Sequence, residues 1–216
     1  MIPYVNIHTH HLSKEDGVFL FNNRFGFDRE FYTSTYFSVG IHPWDARIEV
    51  NWNDFEKLLQ HENCLAIGEC GLDKLKGPDL KIQKDIFLIQ LVLAVKHNKP
   101  VIIHCVKAFD ELIDMCENYQ MKIPIIIHGF NKSSQLAIQL IDHGFLISLN
   151  HSVFSKGNFD SKEIPMQKVF LETDTHSDLS IEKMYKEAAQ FFNVEIDNLK
   201  EKIYLNFTDI FLRNGR

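Results

Sequence analysis

Short runs of Val, Ile and Leu recur along this 216-residue chain, and most are followed by an amphipathic stretch of helical length. This alternation constrains the fold more than any other feature, because strands apolar on both faces must be covered by helices. The runs predict strands near Pro3 to His8, Gly17 to Phe21, Tyr36 to Ile41, Cys64 to Glu69, Pro100 to His104, Pro124 to His128, Phe145 to Leu149 and Lys168 to Thr173. Eight such strands are the number that closes a (β/α)8, or TIM, barrel. Helices are expected at Trp52 to Gln60, Ile82 to Asn98, Ala108 to Tyr119, Ser133 to His143 and Ser180 to Phe192, with two short ones at Ile196 to Lys202 and Asn206 to Leu212. Ser133 and Ser134 offer capping hydroxyls, and Gly144 supplies the left-handed residue that ends a helix.

The interval from His11 to Tyr36 is too short for a full helix, strand and helix, so the early βα region must be shortened. Barrels of this type run from ~200 to ~250 residues, so the chain reads as one compact α/β domain over residues 1–216. No internal repeat or interdomain linker interrupts it. Gly77-Pro78-Asp79 and Ser155 to Pro165 are the expected long surface loops.

An apolar fraction of 45% with 18 Phe supplies one large core and excludes a disordered chain. The net charge of −6 gives no general attraction to nucleic acid. A phosphate substrate must therefore be held by local positive charge, metal ions included. Met1 leads directly into a strand with no signal-like segment, and no apolar stretch reaches the ~18 to 20 residues that cross a bilayer. A cytoplasmic protein with no membrane contact is expected. Cys64, Cys70, Cys105 and Cys116 form no C-x-x-C pair and are expected to be small core residues.

Chemistry concentrates where the apolar runs stop. His8 and His10, Glu69, His104, His128 and Asp174 each close or nearly close a predicted strand. In a parallel barrel those ends converge on one face, so the six side chains resemble the makings of a binuclear metal centre. A lone H-x-H is weak, since surface histidines occur often, but two apart on a strand the imidazoles share a face and can share an ion. Glu69 lies between Gly68 and Gly71, which allow close backbone approach, and its two oxygens can hold two cations ~3.5 to 4 Å apart. His104 and His128 each follow three β-branched residues, and either alone reads more often as a core histidine with a satisfied ring. Glu172 shares a face with Asp174 and is placed to orient a ligand histidine.

The ordered set His8-x-His10, Gly40-Ile41-His42-Pro43, Ile67-Gly68-Glu69-Cys70-Gly71-Leu72-Asp73, Ile102-Ile103-His104, His128-Gly129-Phe130 and Glu172-Thr173-Asp174 resembles the TatD family of metal-dependent hydrolases. Asn206-Phe207 with Phe211 is similar to the family's closing helix. The resemblance implies a TIM barrel related to amidohydrolases that cleaves phosphodiesters in DNA with two divalent ions. By the same resemblance one ion takes His8, His10 and Asp174, the other His104 and His128, with Glu69 between them, while His42 contacts the scissile phosphate or leaving group. The chain departs from the family pattern at Asn6, Lys74, Val106 and His176, all around the ligands rather than among them.

Metal-activated hydroxide is the expected nucleophile, with Asp174, Glu69 and His42 as catalytic groups and His42, Lys74 and Lys107 as substrate contacts. Imidazole-rich sites with carboxylates suit Zn, Mn, Fe, Co or Ni, and Zn or Mn is favoured; Mg is hard, yet the family often uses it. DNA or a small phosphoester is the expected partner, and no protein partner is implied. Two alternatives stand beside this reading. One is an amidohydrolase-like enzyme of a small amide, lactone or phosphoester, and the other is a metal-binding protein without catalysis.

Overall fold

The computed structural model describes residues 2–12, 15–26, 33–46, 49–119, 122–154 and 159–212. Eight strands form one sheet in chain order: β1 (Tyr4–Thr9), β2 (Gly17–Arg24), β3 (Phe37–Gly40), β4 (Cys64–Asp73), β5 (Val101–Val106), β6 (Ile125–Phe130), β7 (Leu146–Leu149) and β8 (Val169–Leu171). All neighbouring pairs are parallel. The last and first strands meet where Asp174 donates its N–H to the His8 carbonyl at 3.1 Å and His10 donates to the Asp174 carbonyl at 3.1 Å. This contact brings the sheet round into a nearly closed barrel.

Six α-helices pack outside: α1 (Trp52–Leu59), α2 (Leu80–Lys96), α3 (Phe109–Asn118), α4 (Ser134–Asp142), α5 (Ile181–Phe192) and α6 (Ile196–Phe207). Side-chain oxygens cap α1, α4 and α5, with Asn51 accepting from the Asp54 N–H, Ser133 from Leu136 and Ser180 from Lys183. Among the described residues no helix lies between β1 and β2 or between β2 and β3, in line with the shortened early region. Residues 155–158 of the expected Ser155 to Pro165 loop lie outside the described residues.

Two expectations need correction. The closing helices predicted separately at Ile196 to Lys202 and Asn206 to Leu212 are one helix, α6, ending in a π turn at Thr208–Leu212. Leu199, Ile203 and Phe207 fall at four-residue spacing and are all buried, so the apolar face runs through the expected break. Strand β4 does not end at Glu69 but continues to Asp73, and all ten of its residues are buried. Gly71 permits this: a Cβ there would stand 2.2 Å from the His104 carbonyl oxygen, and its φ of +133° is one that other residues rarely adopt.

Buried polar side chains fix the ends of the strands. On α2, Gln90 accepts the Ile41 N–H at 2.8 Å and donates to the Ile41 carbonyl at 3.2 Å, immediately before His42. One helical turn from the α2 start, Gln83 accepts the Asp73 N–H at 2.7 Å and donates to the Asp73 carbonyl at 2.9 Å. On α5 the Tyr185 hydroxyl accepts from the Val5 N–H at 3.1 Å and donates to the Val5 carbonyl at 3.0 Å. Each buried strand group is thereby satisfied from a neighbouring helix.

Candidate metal centre

The barrel brings all six strand-end residues and His42 to its C-terminal face, where loops and strand tips build sites in this fold. Glu69 from β4 is the hub. Its Oε1 lies 2.9 Å from His104 Nδ1, 2.8 Å from His128 Nε2 and 3.2 Å from His42 Nε2. Its Oε2 faces the other way, 3.6 Å from His8 Nε2 and 3.7 Å from His10 Nε2. Asp174 Oδ1 stands 3.7 Å from His8 Nε2 and 3.5 Å from His10 Nε2.

These last separations are too long for hydrogen bonds. They are near the ~3.3 Å between two ligands that each sit ~2.0 Å from one tetrahedral ion. His8 is fully buried, and neither of its ring nitrogens has a hydrogen-bond partner among the described residues. A buried, unpartnered imidazole nitrogen aimed at two carboxylates is disfavoured unless a cation joins them. Burial, reinforced by the neighbouring His128, holds the His8 pKa well below the ordinary imidazole value and so keeps the ring in its ligating form. Among the described residues three sets place their candidate ligand atoms within 4.8 Å of one another: His8, His10 and Glu69; His8, His128 and Asp174; His42, Glu69 and His104.

The electrostatics follow from confinement. Burial pushes the Glu69 pKa up, but the charge of His128 and the hydrogen bonds from His104 and His128 outweigh it and hold the carboxyl well below its usual range. Burial would lower the His128 pKa, yet Glu69 and Glu172 on either side raise it well above the ordinary value. His42 is lowered by burial, with Glu69 opposing.

Both inner histidines are held from behind by a second carboxylate. Glu172 Oε1 lies 3.2 Å from His128 Nδ1 and accepts the Gly129 N–H at 2.7 Å. Asp73 Oδ2 lies 3.3 Å from His104 Nε2 and accepts the Trp44 indole N–H at 2.7 Å. Carboxylate–histidine pairs of this kind fix ring orientation and raise ligand basicity. The role expected for Glu172 matches this geometry. Asp73 was not assigned a part in advance, because β4 was expected to stop four residues earlier.

Asn22 on β2 also escaped sequence reasoning. Its Oδ1 accepts the Glu69 N–H at 2.9 Å and its Nδ2 donates to Glu69 Oε2 at 3.4 Å, so it aims the hub carboxylate. The only signal for it was a buried strand position occupied by an amide. At the departures from the family pattern, Asn6 is tied to Thr173 by bonds of 2.8 and 3.2 Å, while His176 packs edge-on to His151 with centroids 4.7 Å apart.

The lysines lie apart from the cluster. Lys74 is paired with Glu111 of α3 at 2.6 Å, and Lys107 is exposed at the tip of β5. They are neighbours, since the Lys74 N–H donates to the Val106 carbonyl at 3.1 Å. A cleft of about 200 Å³ opens beside His104, His128 and Asp174, walled by Phe109 and rimmed by Lys132 and Asn150.

The sequence pattern of the family described as TatD related DNase matches residues 21–212. The chain belongs to this TatD family. Its TatD relatives include an uncharacterized metal-dependent hydrolase, YabD of Bacillus subtilis, 33% identical over 168 residues, covering 69% of this chain and 66% of that protein. A protein of Enterocytozoon bieneusi, provisionally named a deoxyribonuclease TATDN1 homolog, is 38% identical over 151 residues, covering 63% of this chain and 54% of its own length. The chain thus spans only part of the length of these relatives. The crystal structure of the TatD homolog YjjV of Escherichia coli superimposes with a TM-score of 0.77 at 20% identity, over 90% of this chain and 86% of that one, which shows the shared TIM-barrel fold. Several of these relatives are named metal-dependent hydrolases, and the His, Glu and Asp clusters of this chain suit metal binding. No helix among the described residues is long and apolar enough to cross a membrane.

Proposed function

We propose that the chain is a phosphodiesterase that uses two divalent ions, with DNA as its substrate class. The observation that carries this reading is the buried His8, unpartnered at both nitrogens and facing Glu69 and Asp174. His8, His10 and Asp174 would hold one ion, His104 and His128 the other, with one oxygen of Glu69 toward each group. Four carboxylates, Glu69, Asp73, Glu172 and Asp174, converge here, and two divalent ions would supply the matching positive charge. Zn or Mn suits the imidazole-rich set.

Two ions held by these residues would supply Lewis acidity, lowering the pKa of a water toward neutrality and offsetting charge on the phosphoryl oxygens. Asp174, partly exposed at the cleft, orients the attacking water and accepts its proton. The Nδ1 of His42 accepts the Trp44 backbone N–H at 3.2 Å, which leaves the ring proton on Nε2, directed into the cluster. His42 therefore donates to the phosphoryl oxygen or the leaving group. Lys74 and Lys107, on adjacent strand tips, would meet flanking phosphates and offset the chain's net charge of −6. A reducing, cytoplasmic setting suits the four unpaired cysteines.

A second reading, hydrolysis of a small phosphoester, amide or lactone, is favoured by the cleft, whose 200 Å³ is below the ~300 Å³ at which ligand pockets usually begin. Metal analysis of the purified protein, then an assay panel of single-stranded DNA, duplex DNA, a chromogenic phosphodiester and a lactone before and after chelation, tests both. Chelator-sensitive DNA cleavage restored by Mn or Zn is expected. Turnover of the lactone alone would replace DNA with a small substrate.

A further inference from the structure

Helix α2 differs from the other helices that ring the barrel. On α1 the exposed residues are Asn53, Asp54 and Lys57, and on α5 they include Glu182, Lys183, Lys186 and Gln190. On α2 they include Ile82, Ile89, Val92 and Val95, exposed by 40%, 38%, 54% and 51%. Its inner face is apolar too, with Phe87, Leu91 and Ala94 buried. A helix apolar on both faces normally has both covered.

The outer line carries a pattern as well as apolarity. Asp85, Ile89, Val92 and Lys96 are spaced four, three and four residues apart, so they form one row along the helix. The row reads acid, aliphatic, aliphatic, base. Turned end over end about the point between Ile89 and Val92, it becomes its own complement: Asp85 meets Lys96, and Ile89 meets Val92. A parallel arrangement would instead set like charges together. Lys96 also contacts Glu56 of α1, which holds its side chain at the end of the row.

We propose that two copies of this chain associate through α2, packed antiparallel about a two-fold axis that passes between Ile89 and Val92. A closed two-fold contact uses the same patch on both partners and requires this self-complementarity. Ile82 and Val95 flank the central row and exclude water from it. A helix of 17 residues is ~26 Å long, so reaching the ~800 Å² per partner of a standard interface draws in the adjoining surfaces of α1 and α3. The association is accordingly reversible, with a dissociation constant on the order of 10 μM.

Sedimentation equilibrium of the full chain, from about 1 to about 300 μM, tests the proposal. The wild type is expected to show a reversible monomer–dimer equilibrium. Val92→Glu, at an exposed position that leaves the fold and melting temperature unchanged, should raise the dissociation constant at least about thirtyfold. Asp85→Lys and Lys96→Glu should each raise it about fivefold, and together restore it to within about twofold of wild type. A wild type that stays monomeric throughout the range overturns the proposal, and so does a Val92→Glu variant that pairs like wild type. A double charge exchange as weak as either single one overturns the antiparallel register.

Discussion

The two halves of the barrel are built differently. From β4 onward most strands are followed by a helix that buries them, whereas β1, β2 and β3 follow one another with no described helix between them. Yet the early half carries His8, His10, Asn22 and His42, more than half of the groups gathered around Glu69. Its order is imposed from the later half: Tyr185 of α5 satisfies both backbone groups of Val5, Gln90 of α2 holds both of Ile41, and Glu15 accepts the Ile181 N–H at 3.0 Å. Beside β1 to β3 lies a cavity of about 420 Å³ lined by Leu12, Phe19, Phe21 and Tyr36. A strand can be stripped of its own helix if its backbone is clamped by side chains from elsewhere.

That comparison can be broken in four ways. The largest effect is expected at the junction of the halves, where Glu69→Ala should lower hydrolysis on the order of a thousandfold with little change in melting temperature; retained activity would show that the two groups of histidines do not act through Glu69. Next is Tyr185→Phe, which strands the Val5 N–H and carbonyl inside the barrel and should destabilise by about 1 to 3 kcal/mol. Hydrogen exchange should then accelerate in β1 before β5 or β6, and uniform acceleration would contradict a clamped early half.

Smaller is Gln90→Leu, expected to cost about 1 to 2 kcal/mol. Because Ile41 precedes His42, kcat should fall several-fold more than KM rises, whereas an unchanged kcat would mean that His42 is positioned without this clamp. Smallest is the pair Lys74→Ala and Lys107→Ala, which should raise KM for an oligonucleotide a few-fold and leave that for a small neutral ester unchanged. Equal effects on both substrates would show that neither lysine meets phosphate.

The candidate ligand positions were legible because each closes or nearly closes an apolar run with an imidazole or carboxylate, which has no packing reason to be there. The parallel order of eight strands was legible from the same runs. Asp73 was not, because β4 was expected to end at Glu69, and the glycine at position 71 that lets the strand pass the His104 carbonyl reads equally as a turn signal. Asn22, Gln83 and Gln90 were not, because a buried amide looks like a surface residue until its backbone partners are known. The break expected between Lys202 and Asn206 failed for the opposite reason: only the buried row of Leu199, Ile203 and Phe207 shows that the helix runs on.

The sequence by itself determined the strand order, the family and which candidate donors stand at the strand ends, since these depend on residue type and on local periodicity. Tertiary structure alone decided which oxygen of Glu69 faces which histidines, which carboxylates stand behind His104 and His128, and which outer helix face is left apolar. Those features are set by distances between residues far apart in the chain, and a buried polar atom acquires its meaning only from the partner that folding brings to it.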